Sequence, residues 1–223
     1  MKKITLRELL AEFLGSMFLV TAAISPIIMF GLVFESDKGI AIIANALTVA
    51  FVLFALIEIF GPISGAHFNP VVTFIMTLEK KINAGKAALF MLVQFAGGIA
   101  GTILTHVMFF DEVGALLYIS GNERSGYQYV GEIVGTFILI LVILLLVRSK
   151  SSKTSIAIGL LVGGQLMATS STMFANPQVT IARMLTDTPS GIRPSDASIF
   201  ILMQFTGALL AYVIYRLLKE RGT

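Results

Sequence analysis

The sequence contains no cysteine, and only 13% of its 223 residues are charged. The first absence excludes disulfides and thiolate metal sites. The second leaves the chain with about half the ~25% charged content of an ordinary soluble domain. With 56% apolar residues, there is too little polar surface to cover a water-soluble globule. No Pro-rich, Ser-rich or acidic linker interrupts the chain, so one compact domain over 1–223 is expected. No nucleophile, base and orienting group cluster in a catalytic pattern, so no enzyme and no cofactor is expected. His106 has no other His, Asp or Glu at ligand spacing, which argues against a metal.

What the chain does have is long apolar runs. Six of them, 9–34, 39–60, 85–110, 130–147, 154–172 and 198–218, approach the ~20 residues that a bilayer crossing needs. The N-terminus superficially resembles a signal peptide, but Glu8 and Glu12 interrupt it and the run continues, so it reads as a retained first span. Lys2, Lys3, Arg7, Lys80, Lys81, Lys86, Arg148, Lys150, Lys153, Arg216, Lys219 and Arg221 fall on one side of this topology. Only Lys38, Arg124, Arg183 and Arg193 fall on the other. The positive-inside tendency puts both termini in the cytoplasm. The net charge of +3 is thereby a topology signal and calls for no nucleic-acid partner.

Two further apolar stretches, 69–78 and 176–185, are too short to cross. Each opens on Asn-Pro: Asn69-Pro70-Val71 and Asn176-Pro177-Gln178. At 1.5 Å per residue each spans about 15 Å, half of a ~30 Å hydrocarbon core. They follow the second and fifth spans, and other segments repeat in the same order. Ala11-Glu12-Phe13-Leu14-Gly15-Ser16 answers Gly131-Glu132-Ile133-Val134-Gly135-Thr136, and Gln94-Phe95-Ala96-Gly97 answers Gln204-Phe205-Thr206-Gly207. Three spans per half make this an inverted repeat, about 1–115 and 126–223, in which the half-helices dip from opposite faces and meet near the midplane. Two helix N-termini meeting there set up a positive potential that repels cations, hydronium included. Asn69 and Asn176 cap those ends and keep amide donors for a solute oxygen, with Pro suited to the first turn. The non-helical strings 61–68 and 170–175 are tolerated at depth only where they line a polar path, and their carbonyls would be acceptors for solute hydroxyls.

These residues resemble the major intrinsic protein family, the aquaporins and aquaglyceroporins. The resemblance rests on Ser64-Gly65-Ala66-His67-Phe68-Asn69-Pro70-Val71-Val72-Thr73, the second Asn-Pro, the repeated Glu-x-x-Gly and the repeated Gln-Phe, and it covers essentially the whole chain. It implies an all-α multi-pass fold of six transmembrane helices and two re-entrant half-helices. It also implies a pore in each subunit, a homotetramer, and residence in a cell membrane, here a bacterial inner membrane. The segment from Phe174 to Arg183, with Leu185-Thr186-Asp187-Thr188 and Gly191-Ile192-Arg193-Pro194, is similar to a bacterial branch found among arsenic-resistance genes. That similarity points to neutral metalloid acids as solutes.

The departures from the family pattern carry the specificity question. Most members place Arg three residues after the second Asn, where Val179 stands here. By offset from the motifs, the filter positions fall at Val49, Gly164, Met173 and Val179, a wide, apolar set without the aromatic, His and Arg of a water-selective filter. Arg183, one turn beyond Val179, would face the external mouth; its other reading is a pair with Asp187 or a loop anchor. Val71 and Gln178 replace the expected alanines, and Gln178 either narrows the junction or locks it. Glu12 and Glu132 are placed symmetrically, which favours support of the re-entrant loops over proton coupling. Glu58 is expected at the inner vestibule. His67 reads either as a pore-lining residue or as a loop packer. Gly97 and Gly101 read as close helix packing. The function expected is a passive channel for water, glycerol-like polyols and trihydroxy arsenite. A proton-coupled transporter, a water-selective aquaporin and a structural membrane protein are the alternatives.

Overall fold

The structure, a computed structural model, describes residues 4–124 and 126–220. Lys2, Lys3 and Arg221 lie outside the described residues. The described residues form α1 (Leu6–Ile28), a π-helical turn (Met29–Val33), α2 (Lys38–Ser64), α3 (Pro70–Leu78), α4 (Ala84–Met108), α5 (Phe110–Val113), α6 (Tyr127–Ser149), α7 (Thr154–Ala168), α8 (Pro177–Arg183) and α9 (Pro194–Glu220). The starts follow from capping. Thr5 and Glu8 form a capping box on α1, and Asp37 and Asn83 accept from backbone N–H groups of α2 and α4 at 2.7 and 2.8 Å.

Among the described residues, α1 with its π-helical turn, α2, α4, α6 and α9 are long and apolar enough to cross a membrane. The fifth expected span, 154–172, is shorter as a helix: α7 has 15 residues, about 22 Å at 1.5 Å per residue. The chain continues beyond it as the non-helical string that leads to α8. The first string is also shorter than expected. α2 carries Pro62 within it and stays helical to Ser64, so the irregular backbone is confined to 65–68.

Helices of this kind gain nothing from hiding apolar surface from lipid, so close backbone packing holds them together. The two copies of the repeat do this alike. Any Cβ at Gly97 would strike the Phe13 carbonyl, and any at Gly207 the Ile133 carbonyl, so α1 closes on α4 as α6 closes on α9. Gly101 meets the Met17 carbonyl in the same seam. Gly159 and Gly163 let α7 approach α2, against Phe54, Ala50 and Ala46. Outward faces expose residues such as Phe51, Leu92, Leu160 and Leu202, while Glu12, Gln94, Glu132 and Gln204 are fully buried. Polar inside and apolar outside is the arrangement that a bilayer imposes.

Candidate functional site: a channel through the half-helix junction

α3 and α8 meet end to end at their asparagines. Each Asn caps its own helix: Asn69 Oδ1 accepts from Val71 N–H at 2.9 Å, and Asn176 Oδ1 from Gln178 N–H at 3.1 Å. Each amide nitrogen then donates across the junction, Asn69 Nδ2 to the Ala175 carbonyl at 2.8 Å and Asn176 Nδ2 to the Phe68 carbonyl at 2.9 Å. An amide nitrogen carries two hydrogens, so one on each Asn remains for a solute. Pro70 and Pro177 occupy the first helical position of each half-helix, where no backbone donor is needed.

The strings ahead of the caps are held by buried glutamates. Glu12 accepts from the N–H groups of His67 and Phe68 at 3.0 and 2.8 Å, and also from Ser64 Oγ and Gln94 Nε2. Glu132 accepts from the N–H groups of Phe174 and Ala175 at 2.9 Å each, and from Gln204 Nε2. With the N–H groups turned to a carboxylate on one side, the carbonyls of the same trans peptide units turn the other way. Ala66 and Phe68 have positive φ, and so do Met173 and Ala175, the same two offsets before each Asn. A left-handed residue of this type costs about 1–3 kcal/mol, and the glutamate hydrogen bonds are what hold the strings in that conformation.

These elements enclose an inner cavity of about 150 Å³. Its wall repeats with the fold: Leu19 and Leu139, Ala23 and Ile143, Val72 and Val179, Met76 and Arg183, with Asn69 and Asn176 between them. His67 lines it too, its ring held by Thr73 Oγ1 at 3.1 Å and set edge-on to Phe90. A second cavity of about 530 Å³ opens beyond, lined by Lys38, Asn45, Arg124, Thr172 and Ser190 among others. Leu166 and Arg183 line both cavities and so mark the passage between them.

Of the expected filter residues, Val49, Met173 and Val179 lie on the inner cavity wall; Gly164 does not. Gly164 is exposed, with nothing within 4 Å of a Cβ placed there. α7 turns Ile158, Val162 and Leu166 inward at four-residue spacing, and Gly164 lies about 200° of helical rotation from its neighbours in that stripe. Leu166, the last residue of that stripe, lines both cavities. Val71 and Gln178 are buried behind the wall. Gln178 Nε2 donates to the Phe68 carbonyl at 3.2 Å, beside Asn176, so this side chain ties the junction. Glu58 does not reach the inner cavity; it is exposed and accepts from Ser155 Oγ at 2.5 Å, joining α2 to α7. His106 bonds the Leu116 carbonyl and Thr186 Oγ1, tying the segments that follow α5 and α8 to α4.

Arg183 does not pair with Asp187, which accepts instead from Gly121 N–H. Its Nε donates to Ser190 Oγ at 2.9 Å and its Nη2 to the Ala23 carbonyl at 3.0 Å, and its Cζ lies 4.2 Å from the centre of the Phe174 ring. It therefore faces the mouth and anchors the loop at once. The Ala23 carbonyl also takes Asn45 Nδ2 at 2.8 Å; Pro26 stands within α1 just beyond, and a proline there loosens the carbonyls of the preceding turn.

A model described as major intrinsic protein matches residues 1–173. The chain belongs to the major intrinsic protein family. An aquaglyceroporin named AqpS from Rhizobium meliloti (strain 1021) is 37% identical over 96% of this chain and 91% of its own length. Aquaporin NIP1-4 of Oryza sativa subsp. japonica is 28% identical over 97% of this chain and 78% of its own. The crystal structure of the Plasmodium falciparum aquaglyceroporin shares the fold, with a TM-score of 0.72 over 94% of this chain and 93% of that one at 18% identity. Members of this family are membrane channels for small neutral solutes, not enzymes.

Asn45, Leu166, Phe174 and Ser190 are site residues that motif reading passed over. Two of them carried a signal: a buried Asn in an apolar span marks a polar function, and Leu166 completes the four-residue stripe of α7.

Proposed function

We propose that the chain is a passive channel with a wide apolar constriction, permeable to water, glycerol-sized polyols and trihydroxy arsenite. The observation that supports this best is the wall of the inner cavity, where Val49, Leu166, Met173 and Val179 leave Arg183 as the polar group at its outer end. An apolar wall does not strip an uncharged polyol as it does an ion, whose desolvation is far more costly. The Asn pair and the string carbonyls supply donors and acceptors along the path. In this reading Arg183, one turn outward of the usual position, provides the charge that opposes cations. The name of the Rhizobium relative supports glycerol as a solute.

Glu12 and Glu132 are engaged by backbone N–H groups, which suits a scaffold and not a pair of proton carriers. We further propose one channel domain with inverted repeats over 1–115 and 126–223, both termini cytoplasmic in a bacterial inner membrane, and assembly as a homotetramer. The test is stopped-flow light scattering on proteoliposomes with water, glycerol and arsenite. Flux of all three above empty vesicles is expected; water flux alone would overturn the wide constriction.

A further inference from the structure

Lys38, Arg124 and Arg183 line the external cavity, and among the described residues none of the three forms a salt bridge. Arg183 and Arg124 both line it, and both guanidiniums lie over the Phe174 ring, with Cζ 4.2 and 5.6 Å from its centre. Their separation is therefore at most about 10 Å, no more than the Debye length at 0.1 M salt, so an ion between them feels both charges. The neighbouring carboxylates, of which Glu123 also lines the cavity, have other hydrogen-bond or ion-pair partners. Glu123 pairs with Arg193; Asp196 takes Arg193 at 2.9 Å and the backbone N–H of Arg124 at 2.6 Å. Glu132 is engaged by the string N–H groups, and Asp187 by Gly121. The guanidiniums have only neutral acceptors: Ser190 and Ala23 for Arg183, and the Pro189 and Gly191 carbonyls at 3.4 Å for Arg124. Among the described residues, Nη1 of Arg183 and both Nε and Nη1 of Arg124 have no protein acceptor. Burial pushes the Arg124 guanidinium below its ordinary pKa, yet arginine remains charged at neutral pH.

We propose that this external cavity is a binding site for a small oxyanion of the sulfate or phosphate class, held between Arg183 and Arg124, and that an anion seated there obstructs the channel. The planar guanidinium fork matches an oxyanion's paired oxygens. Arg183 lines both cavities, so an anion on it stands in the passage. The anion goes no further, because the apolar wall of Val49, Met173 and Val179 offers nothing to replace its water. Neutral polyols lack the charge that would hold them there.

The obstruction rests on the channel reading; the binding site does not, and two measurements keep them apart. Equilibrium dialysis of radiolabelled sulfate against purified protein is expected to show one site per chain, displaced by phosphate and not by chloride at equal ionic strength. Arg124→Gln is expected to weaken it about tenfold, the scale of losing one charge-assisted fork. Arg124→Lys, which keeps the charge and most of the packing but not the fork, is expected to weaken it severalfold. No saturable binding, or equal binding by both variants, overturns the site. In proteoliposomes, glycerol flux is expected to fall severalfold as sulfate replaces chloride in the tens of millimolar. Unchanged flux alongside proven binding overturns the obstruction, whereas absence of glycerol flux in chloride alone bears on the channel reading and leaves the dialysis result to judge the site.

Discussion

Around α3 the supporting residues are Glu12, Gln94 and Thr73; around α8 they are Glu132, Gln204 and Thr180. Each glutamine donates to its glutamate and also to its threonine, at 2.8 and 3.0 Å in the first half and 2.6 and 2.9 Å in the second. The working faces diverge where the supports agree. Seven residues past each Asn, α3 presents Met76 to the cavity and α8 presents Arg183. Two residues past each Asn, Val71 packs silently while Gln178 crosses to Phe68. The support must satisfy the same backbone problem twice and so is the same twice. The face toward the solute has no such obligation, and only the outer one carries a charge.

Removing the support should therefore harm both halves alike. Glu132→Ala leaves the N–H groups of Phe174 and Ala175 without acceptors, and Glu12→Ala does the same to His67 and Phe68. Each buried donor left unmade costs about 1–3 kcal/mol, and the left-handed strings would then have nothing to hold them. We expect both variants to lose most of their folded yield in detergent, measured by size-exclusion chromatography and thermal unfolding, and Gln at either position to be milder. A large loss from one and none from the other would break the equivalence of the two halves.

Much of this equivalence is legible in the sequence, because the support uses rare residues. An acid inside an apolar span is costly enough to stand out, and Glu12 and Glu132 recur with Gly, Gln and Asn-Pro at matching places. The spans follow from apolar length and the half-helices from its shortfall. The filter was harder to read, since an offset counted back from Asn176 passes through a non-helical string whose path is not encoded in spacing. That count lands on Gly164, whereas the phase of α7 itself, Ile158, Val162, Leu166, leads to the wall. The placement of Arg183 depends on Ala23, Ser190 and Phe174, which come from three distant segments and carry no motif.

The second prediction sharpens the outer half. Leu166 lies where the two cavities join, while Gly164 faces outward with open space around it. Leu166→Ala should widen the passage and raise glycerol permeability relative to water by about threefold, a barrier change below roughly 1 kcal/mol. Gly164→Ala should leave that ratio unchanged. The ratio of glycerol to water flux in proteoliposomes decides it, and the opposite pattern would return the filter to Gly164.

The smallest effect concerns the crossing contact at the junction that, among the described residues, has no counterpart in the other half. Gln178 Nε2 shares the Phe68 carbonyl with Asn176, but its own Oε1 is buried without a partner and lies against Gly98. The hydrogen bond contributes about 0.5–1.5 kcal/mol, and the stranded oxygen costs a similar amount. Gln178→Ala removes both, and leaves Asn176 to hold Phe68 as Asn69 holds Ala175. Thermal stability should therefore change little and glycerol flux should stay near that of the unsubstituted protein. A collapse of either would mean that the junction of this channel is locked from the α8 side and that its two asparagines do not suffice, which would make the asymmetry at its centre as consequential as the one at its mouth.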